Sequence, residues 1–272
     1  MKFEPSVSYF IDKNDENAIE AYKGIRDYLK ELNEMYLEQN LDMNKVAFYY
    51  EDKKGNIFSY NKSVLFYAAS SIKILTCLLV YKMVEEGKLD LNDNILVKLE
   101  DLKQDTGIIK FNTEDKYYTI GELVRLCIVE SDNTAYLKLV DVVGGKDKLE
   151  EFGKSLGAQH TMEGKDSFGL INCEDMIIYW KAVKDYVETG KYGQEFKEYL
   201  SNPSVKLIED DSVSGNFVRK YGSWDIAYHE AGYVEAANEY FLIILTQLFK
   251  KDYKEDFINK SARILDEINK KL

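Results

Sequence analysis

The 272-residue sequence predicts an α/β protein. An antiparallel five-stranded sheet is built from both chain ends, flanked by N- and C-terminal helices, and carries an inserted all-helical lobe. Three observations predict this. Two β-rich runs meet at a tight turn near residue 54, helical signals fill residues 70 to 200, and three β-rich runs return after residue 215. Strands at both ends of a helical middle pack most simply as one sheet with the helical block inserted. The expected division is residues 1–62 with 206–272 as a discontinuous α/β lobe and 63–205 as the helical lobe. A cleft between such lobes is a common place for a ligand site.

Each element has its own signal. Tyr22, Ile25, Leu29, Leu32 and Tyr36 recur at helical spacing within residues 15 to 39. "KVAFYYEDKKGNIFSYN" reads as a β-hairpin around Lys-Lys-Gly-Asn. A helix is expected from Ser70 towards Glu86, stopping at Gly87. Thr119 and Glu122 form a capping box that opens the next one. A third follows Asn133 and ends at Gly144-Gly145, and a fourth precedes Gly157. A fifth starts at Asn172, with Glu174 and Asp175 in the first turn, where the helix dipole favours them. "NFVRKYG", "IAYHEAGYVE" and "EYFLIILTQ" are the returning strands, and Phe257, Ile258, Leu265, Ile268 and Leu272 give a closing helix its apolar face.

Composition narrows the function. With 45% hydrophobic residues and 31% charged ones, the chain has core material for a soluble globular protein. A net charge of −12 without a basic stripe makes nucleic acid an unlikely partner. "YFLIILTQLF" is too short to span a bilayer, so no transmembrane segment is expected. The N-terminus lacks the apolar core of a signal peptide. Cys77, Cys127 and Cys173 lack metal-ligand spacing, and only His160 and His229 stand beside them, so neither a metal nor another cofactor is expected. Cys77 and Cys127 read as buried thiols on apolar helix faces.

Three short motifs carry chemistry. Ser70 and Lys73, three apart, share a helix face, whereas Ser71 is rotated by about 100°. A desolvated neutral lysine can take the proton of a serine hydroxyl that is otherwise a poor nucleophile. Taken alone, the pair better fits a helix-start serine and a lysine whose stem covers apolar surface. Ser131-Asp132-Asn133 fills a short gap between helices, either as a simple cap or as a second hydroxyl that passes a proton to a leaving nitrogen. Lys220-Tyr221-Gly222 lies in a strand, where the ammonium can hold a carboxylate and the glycine admits close approach. The plain alternative is an edge-strand lysine beside a bulge glycine.

In order and in context, these three motifs resemble the set of class A β-lactamases and penicillin-binding proteins. The 61 positions from Ser70 to Ser131 suit that family, as do the flanks "FYAASSIK", "SDNTA" and "VVGGKDKLEEFGKSLG". The resemblance implies that Ser70 is the acylated nucleophile and Lys73 its proton partner. It implies that Ser131 protonates the lactam or amide nitrogen, that Asn133 steadies the substrate's side-chain amide and that Lys220 attracts its carboxylate. The backbone N–H groups of Ser70 and Ser223 would form the oxyanion hole. A small-molecule β-lactam or a cell-wall peptide is the implied substrate. An extracytoplasmic location is implied as well, with the export segment missing from this chain; a full-length chain would instead be cytoplasmic.

Two departures stand out. Tyr221 replaces the usual small hydroxyl residue of the third motif. The family's Glu-x-x-Leu-Asn loop, whose glutamate activates the deacylating water, has no counterpart between Gly157 and Asn172. Glu163 and Asp166 are the acidic residues in that neighbourhood, and neither carries the motif. His229 offers no Ser-His-Asp alternative, because no G-x-S-x-G elbow exists. The expectation is therefore a serine acyl-enzyme that hydrolyses β-lactams, slowly. A penicillin-binding, peptidase- or esterase-like hydrolase and a catalytically degenerate binding protein stay open beside it.

Overall fold

The computed structural model describes residues 42–164, 166–248 and 257–272, together with Asp27, Lys30, Glu31, Glu34, Leu37 and Glu38, all six helical. The apolar stripe expected at Tyr22, Ile25, Leu29, Leu32 and Tyr36 lies outside the described residues. The chain divides into two compact units. One comprises the segment ending at Tyr67, Asn172–Ile177 and Lys206–Leu272; the other comprises Ala68–Ile171 and Ile178–Val205.

The first unit holds the sheet. Its strands are β1 (Val46–Asp52) and β2 (Ile57–Tyr60) of the hairpin, and β5 (Asn216–Trp224), β6 (Ala227–Glu235) and β7 (Tyr240–Thr246) from the far end of the chain. The spatial order is β2-β1-β7-β6-β5, and every neighbouring pair is antiparallel. Val46, Phe48 and Tyr50 alternate on β1 and meet Tyr240, Leu242 and Ile244 of β7 in one buried cluster. The closing helix α7 (Phe257–Lys271) adds Phe257, Ile258, Ala262, Leu265 and Ile268 to that cluster. Polar pins fix its register: Tyr50 Oη donates to Asn269 Oδ1 at 2.6 Å and Tyr240 Oη to Asp266 Oδ1 at 2.7 Å. The five antiparallel strands and closing helix follow the expected architecture.

The second unit is mainly helical and carries a short ribbon. Its helices are α1 (Lys73–Glu85), α2 (Ile120–Val129), α3 (Asn133–Val142), α4 (Lys146–Leu156) and α6 (Gly193–Ser201), joined by the C-terminal part of α5 (Cys173–Thr189). The ribbon pairs β3 (Asn94–Val97) with β4 (Lys116–Thr119), segments rich in Ile, Leu, Val and Tyr that suit a pleated surface. In α1 every residue from Lys73 to Tyr81 is buried. A helix apolar on all sides has no solvent face to give, so α1 is the unit's centre.

Helix ends match their sequence signals. Glu122 N donates to Thr119 Oγ1 at 3.1 Å while Thr119 N donates to Glu122 Oε2 at 2.7 Å, closing the capping box of α2. Gly87 and Gly157 take the left-handed conformation just past α1 and α4. The three cysteines are buried and are not joined by a disulfide. No helix among the described residues is long and apolar enough to cross a membrane.

Candidate active site

Ser70 does not begin an α-helix. It lies in a 3-10 turn, Ala69–Ile72, that tightens into α1 at Lys73. At three residues per turn, positions i and i+3 eclipse, so Ser70 and Lys73 align more closely than on an α-helix. Ala69, immediately before the serine, has φ 46°, a conformation that a side chain tolerates only where its surroundings enforce it. Ser71 turns aside, its hydroxyl donating to Ala68 O at 2.6 Å. Ser70 is 5% exposed, and among the described residues its hydroxyl has no hydrogen-bond partner.

Lys73 is wholly buried, yet its ammonium is well supplied. Nζ donates to Asn133 Oδ1 at 2.7 Å, to the Ser131 carbonyl at 2.5 Å and to Ser131 Oγ at 3.2 Å. It also lies 5.6 Å from the ring centre of Tyr136 and 5.8 Å from that of Phe168. Burial lowers its pKa to about 8, against the opposing pull of Cys127, Asp132, Cys77 and Asp105. At that value roughly a tenth of the side chains are neutral at pH 7, enough to supply a working base.

The middle motif is held in a strained form. Ser131 has φ 52°, between α2 and α3. Asp132 caps α3 by accepting from Ala135 N at 3.0 Å. Its other oxygen accepts from Ile108 N at 2.7 Å and Ile109 N at 2.8 Å. Thr106 Oγ1 donates to Ser131 O at 2.8 Å, and Asn133 N donates to Thr106 O at 3.2 Å. Gly107 is required there, because a Cβ would come within 2.1 Å of Asp132 Oδ2. Asp132 thus caps α3, which leaves Ser131 and Asn133 to contact Lys73.

Among the described residues, neither carboxylate of the loop after α4 pairs with Lys73. Glu163 is exposed and pairs with His160 at 3.0 Å. Asp166 Oδ1 accepts from Phe168 N at 2.9 Å and Gly169 N at 3.0 Å, bracing the turn. What the loop does present is the Phe168 ring, tilted against Tyr136 with the ring centres 5.1 Å apart. Sequence reasoning missed Phe168. The signal was there: Phe168-Gly169-Leu170-Ile171-Asn172 keeps the spacing of the family loop signature, with Phe in the first place and Ile for Leu. It also missed Thr106, Gly107 and Tyr136, for which no local pattern existed.

The third motif lies in the first unit, on the edge strand β5. Lys220 is nevertheless fully buried, its Nζ 4.1 Å from the Tyr221 ring centre. Tyr221 is itself buried. Gly222 faces His229 and Ser223 faces Tyr228 in unbroken register, so the plain alternative of a bulge glycine is corrected. His229 is buried on β6. Beside it Glu230 Oε2 accepts from Leu207 N at 3.1 Å and Ile208 N at 2.7 Å, with Arg219 Nη1 4.0 Å away. Burial raises the Glu230 pKa to about 7, outweighing Arg219 and the two N–H donors.

Comparison with known proteins identifies the family and the fold. Residues 27–268 match the Beta-lactamase enzyme family. Beta-lactamase BRO-1 of Moraxella catarrhalis is 25% identical over 241 residues, 80% of this chain and 75% of that one. A PBP-A mutant solved as an acyl-enzyme complex with penicillin G superposes with a TM-score of 0.79 at 16% identity, covering 91% of this chain and 97% of that one. A beta-lactamase from Sphaerobacter thermophilus gives 0.74 at 20% identity, covering 84% and 91%.

Proposed function

The chain belongs to the beta-lactamase enzyme family, class A-like in motifs and fold, and from that premise we propose that it is a serine acyl-enzyme acylated at Ser70 by β-lactams. The observation that carries this reading is the buried Lys73 ammonium held between Ser131 and Asn133, three residues from an unpartnered serine hydroxyl. Neutral Lys73 takes the Ser70 proton as Oγ bonds to the lactam carbonyl carbon, whose oxygen becomes the oxyanion. As the C–N bond breaks, the nitrogen takes the Ser131 hydroxyl proton, and the Lys73 ammonium returns one to Ser131. Lys73 ends neutral, ready for another cycle.

The remaining roles rest on family membership. Lys220 supplies positive charge for the substrate carboxylate, Asn133 meets its side-chain amide, and the N–H groups of Ser70 and Ser223 receive the oxyanion. Gly222 and Tyr221 stand on the same strand as Lys220 and carry the remaining substrate-binding roles. Hydrolysis of the acyl-enzyme is slow, because Glu163 and Asp166 are engaged with His160 and the loop backbone. That same observation favours a second reading, a penicillin-binding or peptidase-like hydrolase acting on cell-wall peptides. The acyl-enzyme with penicillin G described for PBP-A is the state proposed for this chain.

A chromogenic β-lactam tests the proposal. The expected trace is a burst of one equivalent per protein followed by a weak steady rate. Absence of any covalent adduct would favour the binding-protein reading.

A further inference from the structure

The loop between α4 and α5 places an aromatic ring, and no carboxylate, beside the lysine. It is anchored from several sides. Gly169 O accepts from Ala68 N at 3.0 Å, two residues before Ser70. Tyr136 Oη donates to Ser167 O, and Lys146 Nζ donates to Gly164 O at 2.6 Å. Met162, at φ 58°, is buried, and a Cβ on Gly169 would lie 2.8 Å from its Cα. With Met162 at positive φ and Gly169 packed against it, the loop sets the Phe168 ring against Tyr136 and 5.8 Å from Lys73 Nζ.

We infer that Phe168 is a positioning residue that keeps bulk water away from Lys73 and from the acyl group on Ser70, and so preserves the acyl-enzyme. Hydrolysis needs a water oxygen to bond the acyl carbon while its proton passes to a base. The C–Oγ bond then breaks, and Ser70 recovers a proton. A phenyl ring offers neither a proton acceptor nor a polar partner for that water. It also keeps the amine desolvated, and that burial outweighs the ring's own attraction for an ammonium 5.8 Å away, so the neutral form that acylation uses gains. The catalytic half of this inference rests on the acyl-enzyme reading above; the water-exclusion half does not. The groups whose charges act on Lys73 are Asp132, Asp105 and the thiols of Cys127 and Cys77, and none of them changes in the test.

The test has two arms. In protein labelled with 13C at lysine Cε, the Lys73 titration is followed by NMR. Phe168→Ala should move it up by roughly one pH unit, and Phe168→Leu should restore most of the original value. A Lys73 titration that stays put in folded Phe168→Ala overturns the inference, whatever the protein does with β-lactams. In the second arm, penicillin-treated protein is freed of excess drug and adduct loss is timed by intact mass. Phe168→Glu, which swaps the ring for a carboxylate, should shorten adduct lifetime up to about a hundredfold. It keeps the arm informative should Phe168→Ala fail to fold. An unchanged lifetime overturns the catalytic half. A wild-type protein that never forms the adduct overturns the acyl-enzyme reading and that half together, while a shifted Lys73 titration still supports water exclusion.

Discussion

Lys73 Nζ stands 2.7 Å from Asn133 Oδ1, across 60 residues of sequence, in a site that excludes solvent from the amine. The bond joins the first turn of α1 to the first residue of α3. It places a titratable amine between two hydroxyl-bearing motifs rather than at the surface.

That placement predicts the pH dependence of acylation. Lys73 is lowered to about 8, so the acylation rate should rise with pH through a limb near 8 and then level off. The sign for stability follows. The unfolded lysine keeps its proton to 10.5, and the folded one gives it up near 8, so this group's contribution to stability increases as pH rises from 8 to 10.5. A rate that falls through pH 8 would contradict Lys73 as the base. Lys73→Ala should remove the limb together with nearly all acylation.

Asp132 holds the strained Ser131. Its carboxylate accepts from three backbone N–H groups, of Ala135, Ile108 and Ile109. Asp132→Ala should cost about 2–4 kcal/mol in urea unfolding, counting a lost cap and buried N–H donors left bare. It should also slow acylation, since Ser131 would relax from φ 52°. A loss below about 0.5 kcal/mol would show that the 103–109 segment holds the motif without it.

Glu230 predicts an opposite pH trend in the first unit. Its pKa is raised from 4.5 to about 7, so the folded state holds a proton that the unfolded state has lost between those values. Its contribution to stability is therefore complete below pH 4.5 and is lost as pH rises to 7, on the order of 3 kcal/mol. Glu230→Gln should flatten the stability curve across pH 4.5 to 7. An identical curve in the variant would place the titrating group elsewhere.

Lys220 should serve charge recognition more than proton transfer. Lys220→Ala should slow acylation by carboxylate-bearing substrates roughly ten- to a hundredfold, the size of a charge-assisted hydrogen bond, and neutral esters far less. Equal losses on both would count against the assignment.

Much of this was legible in the sequence, for identifiable reasons. The Thr119–Glu122 box and the glycines at 87 and 157 are local signals, and local signals survive folding unchanged. Ser70, Lys73, Ser131 and Asn133 were found by spacing, and the helices around them bring all but Ser70 into direct contact. The rest depends on the third dimension. Nothing local marks Ala69 for a positive φ or converts the expected helix start into a 3-10 turn. An edge-strand position gives no warning that Lys220 is fully buried. Phe168 sits in a loop, where no periodicity says which side chain turns inward. The Arg219–Glu230 pair joins two strands through the backbone of Leu207 and Ile208, which carry no motif.

The central claim is that Ser70 is the acylated residue, and intact-protein mass spectrometry with peptide mapping tests it most directly. After brief exposure to a penicillin, the account predicts a single adduct of the drug's mass on the peptide containing Ser70. The adduct should be absent in Ser70→Ala and retained in Ser71→Ala, whose hydroxyl is turned to Ala68 O. An adduct that persists in Ser70→Ala and maps to another residue would contradict the account.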